Sequence, residues 1–311
     1  MDLLNLGTNA LRKAALNLEA KEYILGNPVL YNTLRKAADR YIGGEDLTET
    51  IQKVSSQASL GYKTSIEFMG ESTMTEAEAS EATQEFRNIV QEISTRSLNA
   101  TVSLDLSHIG LAISKELCLA NMELICSDAL THNIEVIISA EGHERTDDVI
   151  DTYLAVNKRF SNTSITLQAY LHRSQDDLQA LIQQPGRVRV VKGAFDTPEG
   201  ISLPRGEKLN RRYLGFVEQL LSAGHLCSIA THDHYIQQEI KTIIGNIKPA
   251  REIYEFESLY GIQSEQLAQL KDEGYPVKMY FVYGKEWYLY LCNRIAEYPM
   301  NLFRALADIV G

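Results

Sequence analysis

The chain has 311 residues, 44% hydrophobic and 23% charged, the balance of a globular protein of one large domain or two average ones. Its net charge of −11 argues against nucleic acid or an anionic membrane surface as the main partner. No apolar run approaches the roughly 20 residues of a membrane span, the N-terminus lacks a signal peptide's apolar core, and Cys118, Cys126, Cys227 and Cys292 form no CxxC pair, so a reducing, cytoplasmic setting is expected.

Residues 1–60 carry no strand pattern and read as an N-terminal helical extension packed on the main body, residues 61–311. From about residue 60, short β-rich runs alternate with amphipathic helical stretches. The runs are TSIEFMGE (64–71), ATVSLDLS (100–107), IEVIISAE (134–141), SITLQAYL (164–171), VRVVKGAF (188–195), LCSIATHD (226–233), EIYEFESLYG (252–261) and VKMYFVYG (277–284). Each has the length and the Val, Ile, Thr and aromatic content of a buried parallel strand. Between them lie helical patterns such as TEAEASEATQEFRNIVQEI (75–93) and KLNRRYLGFVEQLLSAG (208–224). Eight strand–helix units in series predict an α/β fold, a (β/α)8 TIM-type barrel. An open doubly wound sheet is the alternative, but no GxGxxG follows any strand. After the last strand, YLYLCNRIAEYP (288–299) reads as a helix with Tyr290, Arg294 and Glu297 on one face. Arg294 there either grips a carboxylate or pairs with an acidic neighbour such as Glu297.

In such barrels the chemistry sits at the C-terminal ends of the strands. Those ends carry Glu71, Asp105, Glu141, Gln168, Lys192, His232, Glu257 and Tyr283. A polar ring of that kind is costly to bury without a ligand, and its mixed charge suits a polar cofactor and an amine or zwitterionic substrate. Three chemistries compete. His232 and His234 form an HxH pair for a metal, although no other strand end adds a second His. Lys192 suits a Schiff base, or a cation on a phosphate. The third option is a cofactor across the mouth, held by Gln168, Arg189, Lys192, Thr231 and His232.

The motifs RVVKGAF (189–195), LQAYL (167–171), ATHD (230–233), YEFESLYG (254–261) and GYPVKMYFVYGKEWYLYLCNRIAEYPMNL (274–302) occur in an order that resembles the proline dehydrogenase family. DRYIGGEDLTETI (39–51) likewise resembles that family's RYVAGE segment. The resemblance spans nearly the whole chain. It implies FAD, held without a covalent bond in a distorted barrel, and oxidation of an amine. On the cofactor side it implies Gln168 near the reactive edge of the flavin and Arg189 near N5. It implies Lys192, Gly193 and Ala194, followed by Asp196, along the ribityl and pyrophosphate, and Thr231 and His232 on the phosphate or adenosine side. Ala140 and Glu257 belong to the same side. On the substrate side it implies Tyr280 and Tyr290 around the ring of the substrate, Arg294 on its carboxylate, and a helix over the barrel mouth.

Several positions depart from the family. Asn293 stands where the first of two consecutive arginines is expected, so the ion pair that Glu71 would make with it cannot form. Asp105 in SLDLSHIG replaces the lysine of SLKLTQLG, Ser139 replaces the aspartate of LDMED, and Asp196 replaces the arginine of KGAYREP. A lysine-to-aspartate change moves the local charge by two units, and a close pair is worth about 4 kcal/mol at an effective dielectric near 20. The flavin half reads as intact and the substrate half as rewritten. The expected function is FAD-dependent oxidation of a C–N bond to an imine, in proline or more readily in a modified, more cationic amine. Asp105 would meet the added positive group, or pair with a neighbouring cation such as Lys192. The electron acceptor is open, a quinone being one class. The alternative is a non-catalytic flavin-binding relative that serves a regulatory or assembly role.

Overall fold

A computed structural model describes residues 13, 17–70, 72–297 and 301–310. Eight parallel strands follow one another round a closed barrel: β1 (Lys63–Phe68), β2 (Ala100–Leu104), β3 (Val136–Ile138), β4 (Thr163–Gln168), β5 (Val188–Val191), β6 (Cys227–Ala230), β7 (Tyr254–Leu259) and β8 (Val277–Tyr283). β8 pairs back onto β1, from Lys63 opposite Lys278 to Phe68 opposite Tyr283. The expected barrel is present; β1 and β4 begin one residue before their expected stretches and the other six strands lie within theirs.

Parallel neighbours require crossovers, and helices supply them: α4 (Glu76–Thr95), α5 (Lys115–Thr131), α6 (Thr146–Asn157), α7 (Ser174–Leu181), α8 (Glu207–Ser222), α9 (His234–Ile247) and α10 (Ser264–Asp272). Local chemistry starts them. Thr75 and Glu78 form a reciprocal capping box on α4, and Asp233 accepts from the Ile236 N–H to cap α9. Upstream lie α1 (Leu18–Gly26), α2 (Pro28–Asp39) and α3 (Leu47–Ser59); after β8 come α11 (Trp287–Glu297) and α12 (Asn301–Val310). Asn27 caps α2 just before its Pro28, a residue preorganised for a first helical turn.

α3 packs on β1 and β8, the slot open to a helix following the last strand. α11 instead packs on α2, where Ala37, Ala38, Tyr41 and Ile42 meet Trp287, Leu291 and Ile295 in an apolar cluster separate from the main core. The chain is stitched there by the Gly43 N–H to the Val282 carbonyl (2.8 Å) and the Gly284 N–H to the Gly44 carbonyl (3.1 Å). Among the described residues no helix is long and apolar enough to cross a membrane.

Strand residues alternate between two environments. Ile66, Val102, Leu104, Ile138, Ile165, Val188, Val190, Ile229, Phe256 and Phe281 belong to the main core with helix residues such as Phe86, Met122, Tyr213 and Phe216. Each fully buried side chain of this kind contributes on the order of 1.5–3 kcal/mol. The opposite strand faces line a lumen filled by an ion ladder, where such barrels usually stack aliphatic side chains. Lys63 contacts Glu255 (3.0 Å) and Glu135 (3.4 Å), and Arg187 contacts Glu135 (3.1 Å). Lys278, with no exposed surface, pairs with Glu255 (2.6 Å) and Glu257 (2.8 Å), and Arg189 pairs with Glu257 (3.1 Å). Burial alone would raise the Glu255 carboxyl; Lys278, Arg187 and Lys63 instead hold it well below the usual carboxylate range.

Candidate active site

The lumen opens at the C-terminal strand ends, where the ladder finishes on Arg189. Its Nη2 donates to Ser103 Oγ (2.5 Å), its Nη1 to Thr166 Oγ1 (3.4 Å), and its guanidinium carbon lies 4.9 Å from the centre of the Tyr280 ring. With Glu257 on its Nε, this permanent cation is fixed on four sides. Above it, Glu67 of β1 is buried and accepts through one oxygen, Oε2, from both the Ser139 hydroxyl (2.7 Å) and the Tyr280 hydroxyl. Burial raises its pKa; the two donors and Arg189 pull the other way.

Asp105 directly follows β2. The β2–β3 register ends with Leu104 opposite Ile138, and the Ser139 N–H donates to the Leu104 carbonyl (2.8 Å), so Asp105 and Ser139 stand side by side. Part of the Asp105 surface remains open. Burial, then Glu67 and Glu141, push its carboxyl well above the ordinary range, against the pull of Arg189 and Arg145. Glu141 has its own partners: the Ser107 N–H (2.9 Å) and Arg145 (2.8 Å) donate to it. The Gln168 side chain donates to the Glu141 carbonyl (2.8 Å), with Ala140 alongside in a small cavity between β4 and α6.

A second group of cations lies at the ends of β5 and β6. Lys192 donates to Asp233 Oδ2 (2.6 Å), and Arg205 donates to the Gly193 carbonyl. Although His232 keeps an exposed edge, desolvation of its ring together with Arg294, Lys192 and Arg205 lowers its pKa to about 4, against the pull of Asp233. The ring is therefore neutral at physiological pH. Gly193 has φ +103°, and a Cβ there would lie 2.2 Å from the Tyr170 ring, so only glycine lets the chain turn at this point. Ala194 and Asp196 follow on the exposed side, while the Thr231 N–H donates to the Glu257 carbonyl (3.1 Å). Neutral and cationic donors beside an open glycine turn suit the phosphates of a dinucleotide.

α11 brings Arg294 to this group, its guanidinium carbon 4.9 Å from the Tyr290 ring centre, with Asn293 half-buried beside it. The Tyr290–Arg294 face expected of this helix is present; Glu71 and the Glu297 side chain lie outside the described residues. Two expectations are corrected. Lys192 is engaged by Asp233 and does not serve Asp105. Tyr283 does not join the ring at the mouth: it belongs to the outer core, its hydroxyl donating to Glu85 (2.7 Å), and Tyr280 occupies the mouth. Sequence reasoning missed Glu67 and Lys278, although alternation in KTSIEF and VKMYFVY sets both on one strand face. It also missed Arg205, a loop residue with no periodic signal.

The sequence profile described as proline dehydrogenase matches residues 49–301. Proline dehydrogenase 2 of Bacillus subtilis (strain 168) is 32% identical over 268 residues, covering 86% of this chain and 88% of that protein. Proline dehydrogenase of Deinococcus radiodurans is 28% identical over 297 residues, covering 93% and 94%. Among solved structures, proline utilization A of Bdellovibrio bacteriovorus superposes with a TM-score of 0.82 at 18% identity, over 94% of this chain and 36% of that one. That likeness concerns the fold alone.

Proposed function

The chain belongs to the proline dehydrogenase family, a family of FAD-dependent oxidoreductases acting on proline-like amines, and we propose that it binds FAD non-covalently across the barrel mouth and oxidises an amine more cationic than unmodified proline. The reading rests chiefly on Arg189, a buried cation immobilised by Glu257, Ser103, Thr166 and Tyr280 at the floor of the mouth. A fixed positive charge there stabilises negative charge on a reduced flavin without reorganisation. Gln168, Arg189, Ala140 and Glu257 serve the ring side; Lys192, Gly193, Ala194 and Asp196 the ribityl and pyrophosphate; Thr231 and His232 the adenosine side. Bound FAD supplies the hydride acceptor.

The chain's own residues do the rest. Tyr280 and Tyr290 flank the substrate ring, Arg294 holds its carboxylate, and Asn293 beside Arg294 supplies only a neutral partner. Asp105 faces Glu67 and Glu141, so the substrate end of the mouth carries an excess of carboxyl groups. A site with that balance favours added positive charge and discriminates against a bare carboxylate.

The test is anaerobic flavin bleaching over a panel of amines, amino acids and proline derivatives. Purified protein should carry a flavin spectrum, and a cationic amine should bleach it faster than L-proline does. Asp105→Lys with Asn293→Arg should shift binding, though not necessarily turnover, toward L-proline. A flavin that no amine bleaches would sink the oxidoreductase reading and leave a non-catalytic relative.

A further inference from the structure

Charge balance in the barrel singles out one carboxyl. Among the described residues the lumen cations are Lys63, Arg187, Arg189 and Lys278, and the ladder below the mouth together with Glu67 offers as many carboxylates, Glu135, Glu255, Glu257 and Glu67. Glu141 has Arg145. Asp105 is left over. It stands at the open end of the lumen beside Ser139, faces Glu67 and Glu141, and receives no side-chain hydrogen bond from any described residue. Glu67 differs in having donors: burial raises its carboxyl too, but two hydroxyls donating to its Oε2 pull against that rise.

We propose that Asp105, backed by Glu67, is the base that takes the proton from the substrate's ammonium nitrogen. The proposal rests on the reading above that the chain oxidises a cyclic amine. A secondary ammonium has no lone pair with which to expel a hydride. Transfer of one N–H proton to an Asp105 oxygen leaves that bond's electron pair on nitrogen. The pair then becomes the second bond of C=N as the α-carbon's C–H pair leaves as hydride to the oxidised flavin, giving an iminium that keeps the remaining N–H. Protons and electrons balance, with Asp105 finishing as a carboxylic acid.

The neighbours leave little choice of base. Arg189 (β5) and Arg145 (preceding α6) are cations, the Tyr280 hydroxyl (β8) already donates its hydrogen bond to Glu67 (β1), and Glu141 (following β3) is held by Arg145 and the Ser107 N–H. These groups also determine how Asp105 titrates. Burial and then the two carboxyls favour its protonated form in the empty site, whereas an arriving ammonium favours its ionised form, so binding should release protons. The device fits a chain that has an aspartate where its family carries a lysine.

Two measurements test this. Pyrrolidinium is the ring cation of proline without its carboxylate. Added to the purified protein, it should remove an infrared C=O band of a protonated carboxyl, and that band should be missing from Asp105→Asn from the start. With L-proline, anaerobic single-turnover bleaching at neutral pH should slow by about 10²–10⁴-fold in Asp105→Asn, the usual contribution of a positioned base, with flavin content unchanged. The deficit should shrink as pH rises toward the amine's own pKa, where solvent removes the proton. The proposal is overturned by a band that persists in Asp105→Asn and ignores pyrrolidinium, or by a variant that bleaches at the wild-type rate with the wild-type pH profile. A protein without a flavin spectrum would overturn the oxidoreductase reading instead, and the infrared measurement would still decide whether Asp105 gives up its own proton to solvent when the ammonium binds.

Discussion

Asp105 is a carboxyl held against the interest of the fold. Its pKa is raised by burial and by Glu67 and Glu141, so between the ordinary aspartate value of about 3.9 and the raised one, the folded protein binds a proton that the unfolded chain does not. Stability therefore falls as pH rises through that window. Asp105→Asn removes the titration while keeping the shape. Differential scanning calorimetry of the ligand-free protein should find the variant melting above wild type at pH 7–8, by roughly 2–4 °C for each kcal/mol relieved. The two should converge below about pH 4, where both side chains are neutral. A variant that melts lower at every pH would mean that the carboxylate is satisfied after all. Asp105 was legible in the sequence as a departure, and so were Ser139 and Arg189 as members of the mouth. Glu67 was not: the strand run containing it ends on Glu71, and side-chain direction, which decides which glutamate enters the lumen, is fixed only when the barrel closes.

At the scale of elements, the helices were legible as helices and their partners were not. The amphipathic pattern of α3 says that one face is buried, yet nothing in it says that the face meets β1 and β8 and completes the outer ring. That placement leaves α11 free to lie on α2 and carry Arg294 to the mouth. The turn after β7 controls the arrangement. Gly261 has φ +76°, and a Cβ there would lie 1.8 Å from the Arg40 carbonyl oxygen, at the end of α2. Gly261→Ala has to push backbone away from backbone. Strain at such a φ costs about 1–3 kcal/mol before any displacement. Urea unfolding should register at least that loss, and limited proteolysis should cut near residues 27–46 sooner than within the strands. Equal digestion patterns for the two proteins would show that α2 docks independently of this turn.

Across the whole molecule, the barrel is held from outside by an apolar shell and from inside by charge. The shell was readable, because Val, Ile and aromatic residues recur in every strand. The ladder was readable only in part: alternation in KTSIEF, YEFESL and VKMYFVY reveals a polar strand face, but the same pattern describes a sheet with one side in water. Closure decides the matter, and it places Lys278 between Glu255 and Glu257 with no exposed surface. Lys278→Met should therefore be severe. It leaves two carboxylates facing each other with one cation fewer, and breaking a buried pair in this way costs about 3–5 kcal/mol. The loss should reach the mouth, since Glu257 also orients Arg189; flavin should dissociate more readily from the variant. Adding Glu255→Gln restores the balance, leaving Lys63 and Arg187 to Glu135 and Arg189 to Glu257. If charge balance rather than packing of the lysine stem holds the lumen, urea denaturation should find Lys278→Met/Glu255→Gln more stable than Lys278→Met alone, a non-additivity expected only between groups of one network. A double variant as weak as the single one, or weaker, would assign the stability of the lumen to side-chain packing.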